Sequence, residues 1–152
     1  METNLSQFKI KLKTDEFAKR RLVSGPIWLE LDGVSFPAHE WVDFPVAILG
    51  FWLTNIQPLM RGRATFCDFP FMDGPYLLGI HVERKGVFTL TPVDREADED
   101  ETLVPASIDS ELLLRQLVCA SEAVIATCQR NQWIDQDLSN LEALVLETKR
   151  HL

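Results

Sequence analysis

The sequence predicts an α+β domain with a mostly antiparallel sheet of about six strands, packed against a central helix and two C-terminal helices. Segments in which apolar residues alternate every second position are interspersed with segments of helical spacing. Short hairpin turns, rather than crossover helices, join the strand-like segments. With 152 residues, of which 46% are apolar, the chain has the size and core content of a single domain, residues 1–152.

The central helix is predicted in the stretch 36–62. Asp43 suits the N-cap position, and Pro45 suits the first turn, where a missing N–H costs little. Pro58 is expected to kink the helix or to end it at the preceding residue, and Gly62 suits a left-handed stop. The residues at core spacing form a wide apolar arc, which indicates burial on most sides: Val46, Leu49, Leu53 and Ile56.

The N-terminal third predicts three strands. Residues 8–13 alternate apolar side chains with lysines, and a second strand opens at Pro26. Asp32-Gly33 is a strong two-residue hairpin signal and leads into a third short strand at 34–36.

Three further strands are predicted after the central helix, at 63–69, 76–82 and 88–90. A three-residue turn at 84–86 is preferred between the last two, because it pairs Val82 with Phe88 and keeps one apolar face. Residues 103–108 predict a short edge strand that a proline weakens.

Two helices complete the prediction. Asp109 caps the second helix, which runs to about Asn131, and Asp135 caps the third. The three cysteines lack CxxC spacing, so we expect free, mostly buried thiols, with Cys119 and Cys128 on the second helix both slow to react.

Charge is unevenly distributed along the chain. The net charge is −8, but residues 1–23 carry +3 and residues 94–111 carry −7. Residues 94–102 contain no large apolar side chain and predict a mobile acidic loop. This balance disfavours nucleic acid, which needs clustered Lys and Arg, and favours a basic protein partner. We expect no membrane partner and a cytoplasmic location, because no apolar run has the length of a signal peptide or a bilayer span.

His39, Glu40 and Asp43 lie within five residues and could act as an acid, a base or metal ligands. Capping and the helix dipole account for the two acids without catalysis. An alternative hypothesis is a small enzyme or ligand-binding domain that uses His39, Glu40 and His81 with a sheet-side pocket. A structural homodimeric subunit is a further alternative.

His81 lies mid-strand and could join Cys67 or Asp68 in a metal site if their strands were neighbours. Zinc sites usually show paired ligands at short spacing, and this chain has none. Dinucleotide, phosphate-loop, nucleophile-elbow and zincin motifs are also missing from the sequence. We therefore expect no catalytic residue, no metal ion and no cofactor.

Two regions have apolar side chains that could contact a partner. Trp28 falls on the polar face of its strand, where it could contact a partner or be covered by another element. The loop 70–75 carries Phe71 and Asp73 and is either a recognition loop or a lid on the core.

The stretches FPAHEWVDFPVAILGFWL and FPFMDGPYLLGIHV resemble those of small bacterial domains. Some of these domains serve as immunity proteins for polymorphic or contact-dependent growth inhibition toxins. The resemblance covers about half the chain and rests on fold-like features. It implies a small, acidic, cytosolic and catalytically silent protein that binds a basic toxin nuclease and blocks its active site.

The leading hypothesis is therefore a non-enzymatic acidic protein that binds and neutralises a basic toxin domain. Charge and exposure, rather than a motif, select the predicted partner-binding residues. These are Asp94, Glu96, Asp98, Glu99, Asp100, Glu101, Trp28, Phe71 and Asp73.

Overall fold

A computed structural model describes residues 4–97 and 104–152. These residues form three α-helices and two antiparallel sheets, of five and four strands. The α+β class is thus confirmed, but the prediction of one sheet of about six strands is wrong. The strands form two sheets because every other strand before the first helix pairs with the long third strand. The strands after that helix pair only with one another.

The first sheet is built around β3 (Val23–Leu31), which pairs with all four of its other strands. The hairpin at Asp32-Gly33 is confirmed, since both residues have positive φ and Leu31 pairs with Val34. The sequence did not predict the two strands of only two residues. The four partner strands are β1 (Phe8–Leu12), β2 (Ala18–Lys19), β4 (Val34–Phe36) and β5 (Val42–Asp43).

The second sheet has the order β6-β7-β8-β9. The predicted pairing of Val82 with Phe88 is confirmed, but the tight turn itself holds only Lys85 and Gly86. A register shift between Val82 and Arg84 takes up the extra residue, so the apolar face is preserved. The strand bounds are Phe66–Pro70 for β6, Tyr76–Arg84 for β7, Val87–Asp94 for β8 and Ala106–Asp109 for β9.

The helices are α1 (Pro45–Met60), α2 (Ser110–Arg130) and α3 (Gln136–Lys149). The predicted N-caps of the last two are confirmed, because the Asp109 and Asp135 carboxylates accept hydrogen bonds from backbone amides three residues on. The N-cap of α1 is Phe44 rather than Asp43.

Pro58 does not end α1, which continues to Met60. The proline lies in the last turn, so few helical hydrogen bonds follow it and little is lost. Gly62, at φ +68°, follows the helix end as predicted.

Helix α1 is the centre of the core. Leu49, Leu53 and Ile56 are completely buried, and the helix packs against β3, β6 and both other helices. It also covers the free edge of β6: Trp52 Nε1 donates to the Pro70 carbonyl at 2.7 Å, and Asn55 Nδ2 donates to the Asp68 carbonyl at 2.9 Å. These bonds occupy carbonyls that an open edge would offer to another chain.

The predicted burial of the thiols on α2 is half right. Cys128 is buried, but Cys119 is exposed. Nine residues at 100° each place the two side chains on opposite sides of a helix, so they cannot share the core face. In the described part of the chain, no helix combines the length and apolar character needed to cross a bilayer.

Candidate functional site

Asp43, at the end of β5, is a buried carboxylate with only 1% of its surface exposed. Its Oδ1 accepts hydrogen bonds from the Phe44 amide at 2.8 Å and the Met72 amide at 3.3 Å. Its Oδ2 accepts from Trp41 Nε1 at 3.0 Å and from the Asp73 amide at 3.2 Å. A buried carboxylate is tolerable when its oxygens are satisfied in this way. We call these five residues the Asp43 network.

The Asp43 network fixes the loop between β6 and β7 to the start of α1. Aromatic side chains pack the same junction: Tyr76 lies edge-on to Trp41, with ring centroids 5.2 Å apart, and to Phe36 at 5.8 Å. Gly74 turns the loop at φ +73°, and a Cβ there would lie 3.0 Å from the Tyr76 ring. The loop is therefore held by hydrogen bonds, ring packing and a close backbone approach.

This loop lies beside the start of the acidic segment. Tyr76 pairs with Asp94 across β7 and β8, and the Arg95 amide donates to the Pro75 carbonyl at 2.9 Å. The Glu96 amide in turn donates to Asp94 Oδ1 at 3.0 Å, which closes a turn. We call the carboxylates of Asp73, Asp94 and Glu96, which are carried by this joined loop and turn at one end of the second sheet, the acidic corner.

The acidic corner is accessible. Asp73 and Glu96 are exposed and Asp94 is half-buried. Within residues 4–97 and 104–152, none of the three forms an ion pair. Their charge is therefore available to a partner. The predicted contacts Asp98, Glu99, Asp100 and Glu101 lie outside the described residues.

Two of the predicted partner-contacting side chains are not on the surface. Trp28 is 2% exposed: His39 packs edge-on against it at 5.3 Å, and Lys11 is its neighbour across β1 and β3. Phe71 is 3% exposed and packs on Trp52. Trp28 is thus covered by a neighbouring segment, and Phe71 is part of the lid on the core, so neither offers a contact surface.

The residues of the alternative enzyme hypothesis lie against different sheets: His39 and Glu40 are in the turn between β4 and β5, and His81 is on β7. His39 lies over Trp28 of the first sheet and contacts Glu40 at 3.3 Å, while Lys13 also pairs with Glu40. The Lys13 hydrogen bond lowers the pKa of Glu40. His81 lies on β7 of the second sheet, where its ring is 4.6 Å from that of Phe66. The structure does not gather these side chains into one site.

The hypothetical metal site that combines His81 with Cys67 is also not formed. Cys67 pairs with Ile80 rather than with His81, so its buried thiol faces the opposite side of the sheet. Burial raises the pKa of Cys67 to about 12, which disfavours the thiolate that a metal needs. Among the described residues, no three His, Cys, Asp or Glu side chains are grouped to hold a metal ion.

Comparison of the chain with protein-family models, with curated proteins and with solved structures finds no match.

The role of Asp43 as a hydrogen-bond acceptor for the loop after β6 was not predicted from the sequence. Its position beside Pro45 indicated a helix cap, because sequence spacing identifies only hydrogen-bond partners that are close along the chain. Two of its donors, the amides of Met72 and Asp73, are about thirty residues away and are brought near only by folding. The sequence feature that could have indicated this role is the acid Asp43 itself, which lies among apolar residues.

Proposed function

We propose that this is a non-enzymatic binding protein that recognises a basic protein domain through the acidic corner. The observation that carries the proposal is the grouping of Asp73, Asp94 and Glu96 on a loop and a turn that are joined to each other and to the core. In the sequence, four more acids follow directly, at 98–101.

The physical role of such a corner is attraction and orientation. Exposed like charges on one surface produce a potential that extends about 8–10 Å at 0.1–0.15 M salt, and this accelerates the approach of a positive partner. Charges at an interface rim influence the association rate more than the final affinity. Because the Asp43 network fixes the backbone of Asp73, part of this charge is presented in a defined position.

The partner we favour is a basic toxin domain of nuclease type, which the protein neutralises in the cytoplasm as an immunity protein. Support comes from the two stretches that resemble bacterial immunity domains. Asp43 belongs to the first stretch and the loop with Asp73 belongs to the second, and the Asp43 network joins them. The resembling residues thus form one structural unit beneath the acidic corner.

The proposal predicts a toxin gene beside this gene in its source organism, and the experiment is a growth-rescue assay with the product of that neighbouring gene. We expect the wild-type chain to restore growth when it is co-expressed with that toxin. A corner variant carrying Asp73→Asn, Asp94→Asn and Glu96→Gln should restore it much less. These substitutions remove three charges and keep side-chain size and hydrogen-bonding oxygens.

The matched control carries Asp15→Asn, Asp137→Asn and Glu142→Gln, surface acids outside the corner that form no ion pair with another described residue. Both variants change the formal net charge from −8 to −5, by three charges. The control should rescue growth like the wild type. Equal rescue by both variants would contradict a role for the corner, and no rescue by the wild type would contradict toxin neutralisation.

A further inference from the structure

A groove of about 380 Å³ lies between the β3–β4 hairpin and the segment that leads into β9. Two valines on its rim are unusually accessible: Val34 is 62% exposed and Val104 is 84% exposed. Its apolar lining comprises Leu31, Val34, Phe36, Pro92, Val104, Pro105 and Ala106. We call this the valine groove.

The polar lining of the valine groove is acidic rather than basic. It consists of Ser6 and Asp32, and none of the described lining residues is a Lys or Arg. A hydrogen bond from the Gln7 amide, at 2.8 Å, lowers the pKa of Asp32 and favours its charged form. An apolar floor with a negative rim suits a ligand that is both apolar and positively charged.

The valine groove and the acidic corner are neighbours along β8. Pro92 in the groove and Asp94 in the corner are two residues apart on β8, so their side chains lie on the same face. Phe36 in the groove lies edge-on to Tyr76, and Tyr76 pairs with Asp94. A single extended segment of polypeptide could therefore reach both.

We propose that the valine groove binds an aliphatic side chain of a basic polypeptide whose Lys or Arg residues contact the acidic corner. This deepens the proposed function by supplying an apolar anchor beside the steering charges, and many interfaces combine an apolar core with a polar rim in this way. Charge selects this occupant: a second copy of the chain carries −8 and an anionic membrane is negative, so both would be repelled.

The test is an NMR titration of the ¹⁵N-labelled full chain with two blocked peptides, Lys-Lys-Leu-Leu-Lys-Lys and Lys-Lys-Ala-Ala-Lys-Lys. We expect the leucine peptide to shift the amide signals of Val34, Val104 and Glu96. It should bind about tenfold more tightly than the alanine peptide. Burying one leucine side chain in the groove contributes a free energy that corresponds to about a tenfold change in Kd.

A pair of double variants isolates the groove. Val34→Asn with Val104→Asn should remove the preference for leucine without adding charge. Ile134→Asn with Leu146→Asn is the control, since these side chains are 62% and 64% exposed and neither lines the groove. The control should keep the tenfold preference, and its loss there would contradict the groove as the site.

Three other results would overturn the proposal. Equal affinity for both lysine peptides would mean that charge alone binds them. Equal affinity for Glu-Glu-Leu-Leu-Glu-Glu and the leucine peptide with lysines would mean that the groove does not require a basic ligand. Dimerisation of the free protein with shifts at Val34 would make a second copy the occupant. The proposed function can fail separately: if the wild type does not rescue growth but the leucine preference remains, toxin neutralisation is wrong and the groove stands.

Discussion

The Asp43 network and the acidic corner use the same chemical group for opposite purposes. The Asp43 carboxylate is 1% exposed and accepts four hydrogen bonds, whereas Asp73, whose amide donates one of those bonds, has an exposed side chain. All the hydrogen bonds that the Asp43 carboxylate accepts come from groups within the protein. The Asp73 carboxylate is exposed, so its charge is available to a partner.

This contrast teaches that the charge of a carboxylate says little about its role until its burial and hydrogen bonds are known. Removing a buried carboxylate leaves its donors unsatisfied, which is costly, while neutralising an exposed one changes stability little. Changes to the Asp43 carboxylate should therefore affect folding, and changes to the exposed side chains of the corner should affect binding.

The largest difference between a buried and an exposed group is expected for the thiols. A pKa of about 12 for Cys67, against an ordinary 9.0, lowers its thiolate fraction at pH 8 by about a thousandfold. Cys119 is exposed and should react first with a disulfide reagent such as DTNB, and Cys67 should stay unreacted until the protein unfolds. Mass spectrometry of the labelled peptides identifies the site, and early labelling of Cys67 would show that β6 opens readily.

Asp43→Ala should lower the free energy of unfolding by about 2–4 kcal/mol, because several donors lose their acceptor at once. Urea unfolding measures this loss. Asp43→Asn is the matched variant, and it should cost less because the amide retains one oxygen acceptor. A loss below about 0.5 kcal/mol for the alanine variant would mean that the network does not hold the loop.

Gly74→Ala should cost about 1–2 kcal/mol, from a positive φ and a Cβ that meets the Tyr76 ring at 3.0 Å. Gly86→Ala separates these causes, since Gly86 has φ +80° but nothing within 4 Å of an added Cβ. The difference between the two variants, measured by urea unfolding, reports the packing of the loop. Equal losses would mean that only backbone strain matters.

The corner variant with Asp73→Asn, Asp94→Asn and Glu96→Gln should change the free energy of unfolding by less than about 0.5 kcal/mol. Exposed carboxylates without ion pairs contribute little to folding, and the substituted side chains keep an oxygen for the Glu96 amide. Thermal unfolding followed by circular dichroism provides the measurement. A large loss of stability would mean that the corner side chains help to hold the fold together, as the Asp43 carboxylate does.

Patterns that depend on neighbouring residues were predictable from the sequence. The caps at Asp109 and Asp135, the Asp32-Gly33 hairpin and the pairing of Val82 with Phe88 all follow from spacing of a few residues.

Features that depend on tertiary contacts were not predictable. The division into two sheets arises from how β3 gathers its partners, and the burial of Trp28 depends on His39, eleven residues away. Cys119 was predicted to be buried with Cys128, although helical geometry alone could have excluded it. In the candidate site, the charge pattern selected Asp94 and Glu96, and the loop 70–75 supplied Asp73. Only the structure shows the hydrogen bond from the Arg95 amide to the Pro75 carbonyl that joins the two segments.

Steering by the acidic corner is tested by a salt series of association rates against the purified toxin domain. The series compares the wild type, the corner variant and the control variant with Asp15→Asn, Asp137→Asn and Glu142→Gln. If the acidic corner steers the encounter, the wild-type and control rates should fall steeply with ionic strength, and the rate of the corner variant should be lower and much less sensitive to salt. Equal salt slopes for all three proteins would contradict the claim.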